Sequence, residues 1–174
     1  MNRAAYVDPT ARLFGNVSLG EDCSLWPYAV IRCERNHVSI GTCTSLQDHA
    51  MVHIGWNEPT IIGAYCTIGH RAVVHGCTIE PACLIGVGAT IMPPSMVMGT
   101  PGRVTRRIDK VRSNIIDALL YRDNARAYAS EDHRAWERAD LAALGQEADT
   151  ILAREWLAWQ RQGVAETDQE EPTA

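Results

Sequence analysis

The chain has 174 residues, of which 46% are hydrophobic, and it carries a formal net charge of −5 at pH 7. That length suffices for one domain with a substantial core, and the acidic balance, without any basic run, argues against a nucleic-acid partner. No apolar stretch approaches the roughly 20 residues of a membrane span, and residues 1–10 lack a secretory-signal pattern, so we expect no membrane partner and a cytoplasmic location.

The N-terminal part of the chain contains a repeat of six residues. A glycine often follows the repeated aliphatic residue directly, as in Gly20, Gly41 and Gly63. A period of six fits neither an α-helix nor an alternating strand, but it is typical of a triangular solenoid whose hexads each form one short strand and one corner. The sequence therefore predicts an all-β solenoid, with aliphatic residues inside and glycine or polar residues accepting the corner geometry. The aliphatic positions are Val7, Leu13, Leu19, Leu25, Ile31, Ile40, Leu46, Val52, Ile62, Ile68, Val74, Ile79, Ile85, Ile91 and Val97.

The repeat is interrupted twice, at residues 33–37 and at residues 54–60. Insertions into a solenoid leave its corners as loops, often on the binding face, so we expect a loop at each interruption. After Pro93 and Pro94 the repeat fades, which predicts that the solenoid ends near residues 92–98.

A helical composition begins at about residue 104. The first predicted helix has apolar residues at helical spacing, and we expect this apolar face to pack along a flat face of the solenoid. These residues are Ile108, Val111, Ile115 and Leu119. A second helix is predicted over residues 131–144, with Ser130 as its N-cap and Gly145 ending it, and a third reaches about residue 162.

The predicted domain organisation is a β-helix over residues 1–102, a helical segment packed on it over residues 103–163, and a disordered acidic tail over residues 164–174. Because the end of a solenoid exposes strand edges and apolar interior, we expect the helical segment to cap that end or to extend over a neighbouring chain. The alternative is a loosely attached amphipathic tail.

Two of the six histidines occupy equivalent places in the repeat. His53 and His75 each follow the inward aliphatic residue, and 22 residues separate them, which is one coil plus a four-residue insertion. They should lie on stacked strands about 4.8 Å apart, close enough to bind one ion at about 2.0–2.1 Å each. His70 precedes His75 around a corner, from which it can reach an ion held by a neighbouring subunit. This arrangement predicts metal sites shared between the subunits of a trimer.

The segments around these histidines resemble the metal-binding segments of the gamma-class carbonic anhydrases, in residues 44–53 and 68–79. The resemblance covers roughly residues 7–135 and implies a left-handed parallel β-helix that forms a homotrimer. It also implies that His53, His70 and His75 are the metal ligands. Zinc suits such nitrogen ligands, and iron or cobalt would fit the same set.

Three further residues match functional positions of that family, and a fourth lies in a loop that carries functional acids there. The resemblance implies that Arg32 and Asp48 pair across the subunit interface and that Gln47 lies beside the metal-bound solvent. Glu58 is the only acid in the short loop that follows His53, where an active family member carries proton-shuttling acids. The alternatives are a purely structural ion pair for Arg32 and Asp48, and a solvated loop carboxylate for Glu58.

The chain also departs from the family pattern. Arg32, Cys33 and Glu34 stand where the family commonly has Arg-Gly-Asp, and the chain lacks about one coil, with its tyrosine, after Met92. We expect these differences to lower the catalytic rate and to leave the fold unchanged.

The implied function is that of a metal-dependent carbonic anhydrase, a lyase of reduced activity. Such an enzyme hydrates CO2 reversibly to bicarbonate by a metal-bound hydroxide, here at the trimer interfaces. Two alternatives stay open: an acyl-CoA transferase or thioesterase of the hexapeptide superfamily, and a catalytically silent, metal-stabilised trimeric scaffold. The six cysteines form no C-x-x-C pair, so we expect them to be small buried residues in a reducing compartment.

Overall fold

The computed structural model describes residues 4–91, 98–99, 102–103 and 110–167. Its N-terminal part is a left-handed parallel β-helix of about 4 turns, followed by two C-terminal α-helices. The solenoid predicted from the period of six is therefore confirmed. The division of the chain into domains stays a prediction.

Short parallel strands form three flat faces. The first face stacks β1 (Tyr6–Val7), β3 (Ser24–Leu25), β5 (Ser45–Leu46), β8 (Thr67–Ile68) and β11 (Leu84–Ile85). Two long strands, β2 (Arg12–Leu19) and β4 (Val30–Ile40), run around the corner between the second and third faces. The second face continues with β6 (Met51–His53), β9 (Val73–His75) and β12 (Thr90–Ile91), and the third with β7 (Thr60–Ile62) and β10 (Thr78–Ile79). The strands β13 (Met98–Gly99) and β14 (Gly102–Arg103) form a separate antiparallel pair.

The core of the β-helix consists of the repeated aliphatic residues and the small residues beside them. Leu25, Leu46 and Ile68 stack in register on the first face, and each is fully buried. Two repeat positions of the first coil differ: Val7 is 42% exposed and Leu13 is 38% exposed, because only one side of a terminal coil is covered. Val97 lies outside the described residues.

The corner geometry does not depend on the glycines that follow the aliphatic residues. Gly20 and Gly63 lie so close to the next coil that an added Cβ would stand 2.5 Å from a backbone nitrogen in each case. The left-handed backbone conformation falls two residues later, on non-glycine residues such as Asp22 (φ 59°) and Tyr65 (φ 58°). The predicted role of these glycines is therefore wrong, since they permit close stacking of coils rather than a positive φ.

The first interruption of the repeat is a bulge inside a strand, whereas a loop was expected. Strand β4 runs through it: Cys33 pairs with Gly15 and Val38 pairs with Val17, so residues 34–37 stand opposite Asn16. The second interruption is a loop, as predicted, over residues 54–59 between β6 and β7.

Helix α1 (Val111–Tyr128) packs on the first face and on the neighbouring corner. Ile115 and Leu119 are fully buried in a second apolar cluster that includes the corner residues Cys43, Tyr65 and Ala82. Val111 is partly buried against the same cluster, and Ile108 lies outside the described residues.

The helix predicted over residues 131–144 does not form. A turn and a short 3-10 helix (Ala135–Arg138) occupy that stretch, and helix α2 (Leu141–Thr167) then runs straight through Gly145. Asp140 caps this helix, because its Oδ1 accepts hydrogen bonds from the amides of Ala142 and Ala143, both at 3.0 Å.

Gly145 has a packing role instead of a terminating one. The Arg112 Nη2 donates to the Gly145 carbonyl at 3.2 Å, and an added Cβ would stand 3.0 Å from that nitrogen. Residues 164–167, expected in the disordered tail, belong to α2, and residues 168–174 lie outside the described part.

All six cysteines are free, and five of them are buried. Burial raises the pKa of the Cys23 thiol to about 11 and that of the Cys43 thiol to about 12, which keeps both protonated and unreactive. Within the described residues, neither α-helix is long and apolar enough to cross a membrane.

Candidate metal centre

A row of polar side chains crosses the second face at the ends of its strands. Arg32, His53 and His75 are direct register partners on β4, β6 and β9. Because alternate residues of a strand face opposite sides, the inward Val52 and Val74 force both histidines outward. The two imidazole rings stack with centroids 5.0 Å apart and planes 12° from parallel. The structure thus places this pair where the spacing of the sequence predicted it, and their role as ligands stays a prediction.

The backbone around the histidine pair is fixed by Thr60 and Gly76. The Thr60 hydroxyl donates to the His53 carbonyl at 2.6 Å and accepts from the Gly76 amide at 2.9 Å. The Nδ1 of His75 is buried and has no hydrogen-bond partner among the described residues. An orphaned buried imidazole nitrogen is costly, so it marks a position where the chain itself supplies no partner.

Glu34 joins this row from the bulge, and the sequence did not single it out as a site residue. Its Oε2 lies 2.9 Å from the His53 Nε2, and its Oε1 lies 3.1 Å from the Arg32 Nη1. Partial desolvation acts in the opposite direction, but hydrogen bonds to its own backbone and to His53, with the charge of Arg32, hold the pKa of the Glu34 carboxyl below its usual value. One feature of the sequence could have indicated Glu34: next to the first interruption of the repeat, Arg32-Cys33-Glu34 replaces the Arg-Gly-Asp that is common in the family.

A second group of candidate residues lies at the corner between the first and second faces. The Asp48 Oδ2 lies 3.0 Å from the His70 Nδ1, and the buried Gln47 accepts a hydrogen bond from the His70 amide at its Oε1, at 3.1 Å. A carboxylate at this position is the arrangement that orients metal-binding histidines, and it would leave the His70 Nε2 for a ligand.

The two groups are separate within one chain. Four residues lie between His70 and His75, and the chain turns a corner there, where the Ala72 amide donates to the Gly69 carbonyl at 3.0 Å. Among the described residues, no group of three or more His, Cys, Asp or Glu side chains is arranged to hold a metal ion. Arg32 pairs with Glu34 and Asp48 pairs with His70, so the expected Arg32–Asp48 pair is not formed inside the chain.

Glu58 folds back over its own loop. Its Oε2 accepts a hydrogen bond from the Asn57 amide at 3.1 Å, and an added Cβ at Gly55 would stand 2.5 Å from that oxygen. In the same region, the Arg35 guanidinium lies 4.7 Å from the ring centroid of Trp56, which is 76% exposed. The predicted proton-shuttle carboxylate is therefore on the loop that follows His53, with one oxygen already engaged.

A cavity of about 340 Å³ adjoins the second group, and nothing in the sequence pointed to it. The cavity lies between the β-helix corner and the helical segment, and it is lined mainly by aromatic rings. Its lining includes Trp26, Asp48, His70, Tyr121, Tyr128 and Trp136.

Comparison with solved structures supports the fold. A hexapeptide transferase family protein from Anaplasma phagocytophilum has a TM-score of 0.55 at 23% identity, covering 71% of this chain and 92% of that chain. A putative acetyltransferase from Bacillus cereus has a TM-score of 0.54 at 22% identity, covering 72% and 91%. At such identities the likeness concerns the fold alone.

Comparison with curated proteins identifies the family, although no protein-family model matches the chain. Gamma carbonic anhydrase 1, mitochondrial, from Arabidopsis thaliana is 38% identical over 123 residues, and the chain spans only 45% of its length. Probable carbonic anhydrase from Methanocaldococcus jannaschii is 37% identical in an alignment of 137 residues that covers 64% of this chain and 86% of the relative. With this identity over most of the second relative, and with a hexapeptide β-helix that presents paired histidines, the chain belongs to the gamma carbonic anhydrase family.

Proposed function

We propose that the protein is a metal-dependent carbonic anhydrase that hydrates CO2 reversibly to bicarbonate at sites shared between the subunits of a homotrimer. The observation that carries this proposal is the division of the histidines into two outward-facing groups. His53 and His75 stack at one end of the second face, and His70 is held by Asp48 at the other end. Neither group alone has three histidines, but the first group of one copy and the second group of a neighbouring copy would together provide three.

The residues fit a divalent metal ion. Three imidazoles form a nitrogen donor set that suits zinc, and iron(II) or cobalt(II) would also accept it. His53 and His75 of one copy and His70 of the next would hold the ion. When bound, such an ion lowers the pKa of a coordinated water to about 7, which makes a nucleophile available at neutral pH.

The remaining residues would orient the reactants. The Gln47 Oε1 accepts from the His70 amide, and this bond holds the side chain so that its Nε2 group would donate to a substrate oxygen. Arg32 holds Glu34 in place, and in the assembly it would also approach Asp48 of the neighbouring copy. Glu58 would pass protons to solvent, although its engaged oxygen makes it a poor acceptor.

The second face supports a contact between copies. Val30, Met51 and Val73 form an outward apolar row on it, directly beside the row of Arg32 and the histidines. All three side chains are only partly buried in the single chain. A contact between this face of one copy and the corner of the next copy would be heterologous, because the two surfaces differ. Heterologous contacts form closed rings when the rotation between copies divides a full turn evenly. Three copies are the proposed ring, and the cytoplasm is its proposed compartment.

Complementation between variants tests the shared site. A His53→Ala chain and a His70→Ala chain should each bind little zinc, because every site of each homotrimer lacks one ligand. Co-refolded mixed trimers should regain part of the zinc, since some of their interfaces contain all three histidines. Zinc content is measured after gel filtration. Mixed trimers that bind no more zinc than the parents would refute the sharing of ligands.

Isotope exchange between CO2 and water, measured on zinc-loaded protein, tests the activity. We expect exchange above the uncatalysed rate that rises with pH through about 7 and increases with added buffer. A protein that binds zinc without any exchange would instead be a metal-stabilised scaffold.

An acyl-CoA transferase or thioesterase is the second candidate. The aromatic cavity of about 340 Å³ beside His70 favours it, because such a lining suits an apolar acyl group. The hexapeptide transferase fold is compatible with this function too. Hydrolysis of acyl-CoA by metal-free protein, in the absence of CO2 exchange, would favour this candidate over the first.

A further inference from the structure

Glu34 stands at the atom through which His53 would bind an ion. The Glu34 Oε2 is 2.9 Å from the His53 Nε2, and Arg32 holds the other carboxylate oxygen at 3.1 Å. Arg32 thus orients the carboxylate so that one oxygen faces the histidine row. No other described acidic side chain is recorded in contact with His53 or His75.

The local backbone explains how Glu34 reaches that position. Cys33 is 2% exposed, and its Sγ donates to the Arg35 carbonyl at 3.3 Å, which anchors the start of the bulge on the core. Glu34 follows this anchor and points outward, on the same side as Arg32. A glutamate is one methylene longer than the aspartate of the family pattern, and the Glu34 carboxylate lies 2.9 Å from the His53 Nε2.

A hydrogen bond of this type is easily converted to a pair of metal ligands. Nitrogen and carboxylate oxygen bind zinc at about 2.0–2.2 Å, so two tetrahedral ligands lie about 3.4 Å apart. The present N···O separation would have to widen by only about 0.5 Å, with the ion taking the place of the shared proton. The Glu34 side chain is 52% exposed, so rotation about its own bonds suffices. His53, His75 and Glu34 do not yet surround one point, in agreement with the lack of a preformed metal-binding cluster among the described residues.

We propose that Glu34 is a fourth protein ligand, so that the ion is held by His53, His75 and Glu34 of one copy and by His70 of the next. This inference rests on the proposed function and specifies how the site is regulated. Four protein ligands are typical of structural zinc sites, whereas catalytic sites keep one position open. Glu34 therefore closes the site, and it must move away before water can bind. The protein gains metal affinity and loses catalytic rate.

Cobalt(II) is the probe that tests this inference, because its visible absorption reports its coordination. The full-length chain is compared with Glu34→Ala and Glu34→Asp, and Glu80→Ala serves as a control that removes an exposed carboxylate elsewhere on the β-helix. We expect Glu34→Ala to bind cobalt at least about 10-fold more weakly and to change the absorption bands, with Glu34→Asp intermediate. The control should match the parent chain in both measurements.

The same cobalt-loaded proteins are compared in CO2–water exchange at saturating metal. Glu34→Ala should exchange faster than the parent, because the fourth position is open to water. Unchanged or tighter cobalt binding with unchanged bands in Glu34→Ala would overturn the assignment of Glu34 as a ligand. Weaker binding without faster exchange would overturn the closure of the site. A parent chain that binds no cobalt at all would instead refute the proposed function, so the two failures are distinguishable.

Discussion

The three histidines of the candidate site differ in their polar contacts. The Asp48 carboxylate contacts the Nδ1 of His70, Glu34 contacts the Nε2 of His53, and the buried Nδ1 of His75 has no hydrogen-bond partner in the described residues. A partner carboxylate sets the tautomer and the orientation of an imidazole and raises its basicity. His70 is therefore the histidine whose ring is best prepared to bind an ion.

Removing Asp48 should weaken metal binding without removing a ligand. In Asp48→Ala the His70 ring loses its oriented tautomer, and we expect zinc affinity to fall about 10- to 100-fold. Competition with a chromogenic chelator measures this change. The control is His49→Ala, which removes the neighbouring imidazole that stacks on Tyr28. Equal affinities for the two variants would contradict an orienting role for Asp48.

The positions of some site residues could be predicted from the sequence, and others could not. His53 and His75 were predictable because both directly follow an inward residue of the repeat, and stacking then fixes their register. Glu34 was not, since its place depends on the shape of the bulge over residues 34–37, which the spacing of the repeat does not determine. The partner of His70 depended on a corner contact between coils, Asp48 to His70, that a linear pattern does not contain.

At the scale of elements, the stacking of coils depends on close backbone approach at the corners. Gly63 faces Pro81 of the next coil with no room for a side chain, while Gly88 has open space around the position of a Cβ but a φ of +69°. One β-helix thus contains a glycine required by lack of space, Gly63, and a glycine required by its backbone conformation, Gly88.

This separation gives a matched pair of substitutions. Gly63→Ala places a Cβ 2.5 Å from the Pro81 nitrogen, so the coils must move apart, at a cost of about 3 kcal/mol or more. Gly88→Ala meets only the unfavourable left-handed conformation, which costs about 1–2 kcal/mol. Melting temperatures at one protein concentration compare the two. The opposite order would show that backbone conformation, not stacking distance, limits these corners.

The contact between the two helices is held by a charged pair. Arg122 is 11% exposed and binds both oxygens of Glu147, at 2.5 and 3.0 Å. The hydrogen bond from Arg122 lowers the pKa of the Glu147 carboxyl, with desolvation acting in the opposite direction. Since the folded-state pKa lies below the unfolded value of about 4.3, the pair stabilises the fold above that value and loses its effect as the pH falls through the folded-state pKa.

Glu147→Gln should therefore destabilise the protein near neutral pH and much less in acid. We expect a loss of about 1 kcal/mol at pH 7, because Glu147 is 43% exposed and solvent screens the pair. The difference from the parent should shrink below about pH 4, as measured by thermal unfolding over a pH series. Glu137→Gln, which alters a more exposed pair with Arg134, serves as the control. A difference that stays constant with pH would rule out this electrostatic origin.

In the helical segment, the helix propensity of a single residue led to a wrong prediction. Gly145 has poor helix propensity, but packing against Arg112 and the cap supplied by Asp140 carry α2 through it. Tertiary contacts of this kind are not encoded in the local window that predicted a break. The spacing of Ile115 and Leu119, by contrast, identified a buried face correctly.

At the scale of the whole molecule, the apolar interior consists of two clusters. One fills the β-helix, and the other joins its corner residues to α1 and to Leu144, Ala148 and Ile151 of α2. Helix α1 is therefore buried from both sides, by the solenoid and by α2. The helical segment is a covering layer along the side of the β-helix rather than a free tail.

Truncation after Ala129 tests this layer. It removes α2, which exposes the outer side of Ile115 and Leu119, and we expect a melting temperature lower by at least about 5 °C. A control truncation after residue 167 removes only residues 168–174 and should leave stability unchanged. If the shorter chain keeps the full melting temperature and the same oligomeric state, α2 does not stabilise the fold, and its apolar side would instead bind another protein.

The bulge over residues 34–37 and the loop over residues 54–59 interrupt the solenoid between its second and third faces. Both insertions extend sideways, while the strands on either side of them remain paired in parallel register. An insertion or deletion there would change only the size of the bulge or loop. The distance between His53 and His75 along the β-helix axis would stay that of two neighbouring strands. Access to the proposed metal site and the spacing of its two stacked histidines can therefore be varied independently, so that loops of foreign sequence could be grafted at this corner without changing the His53–His75 spacing.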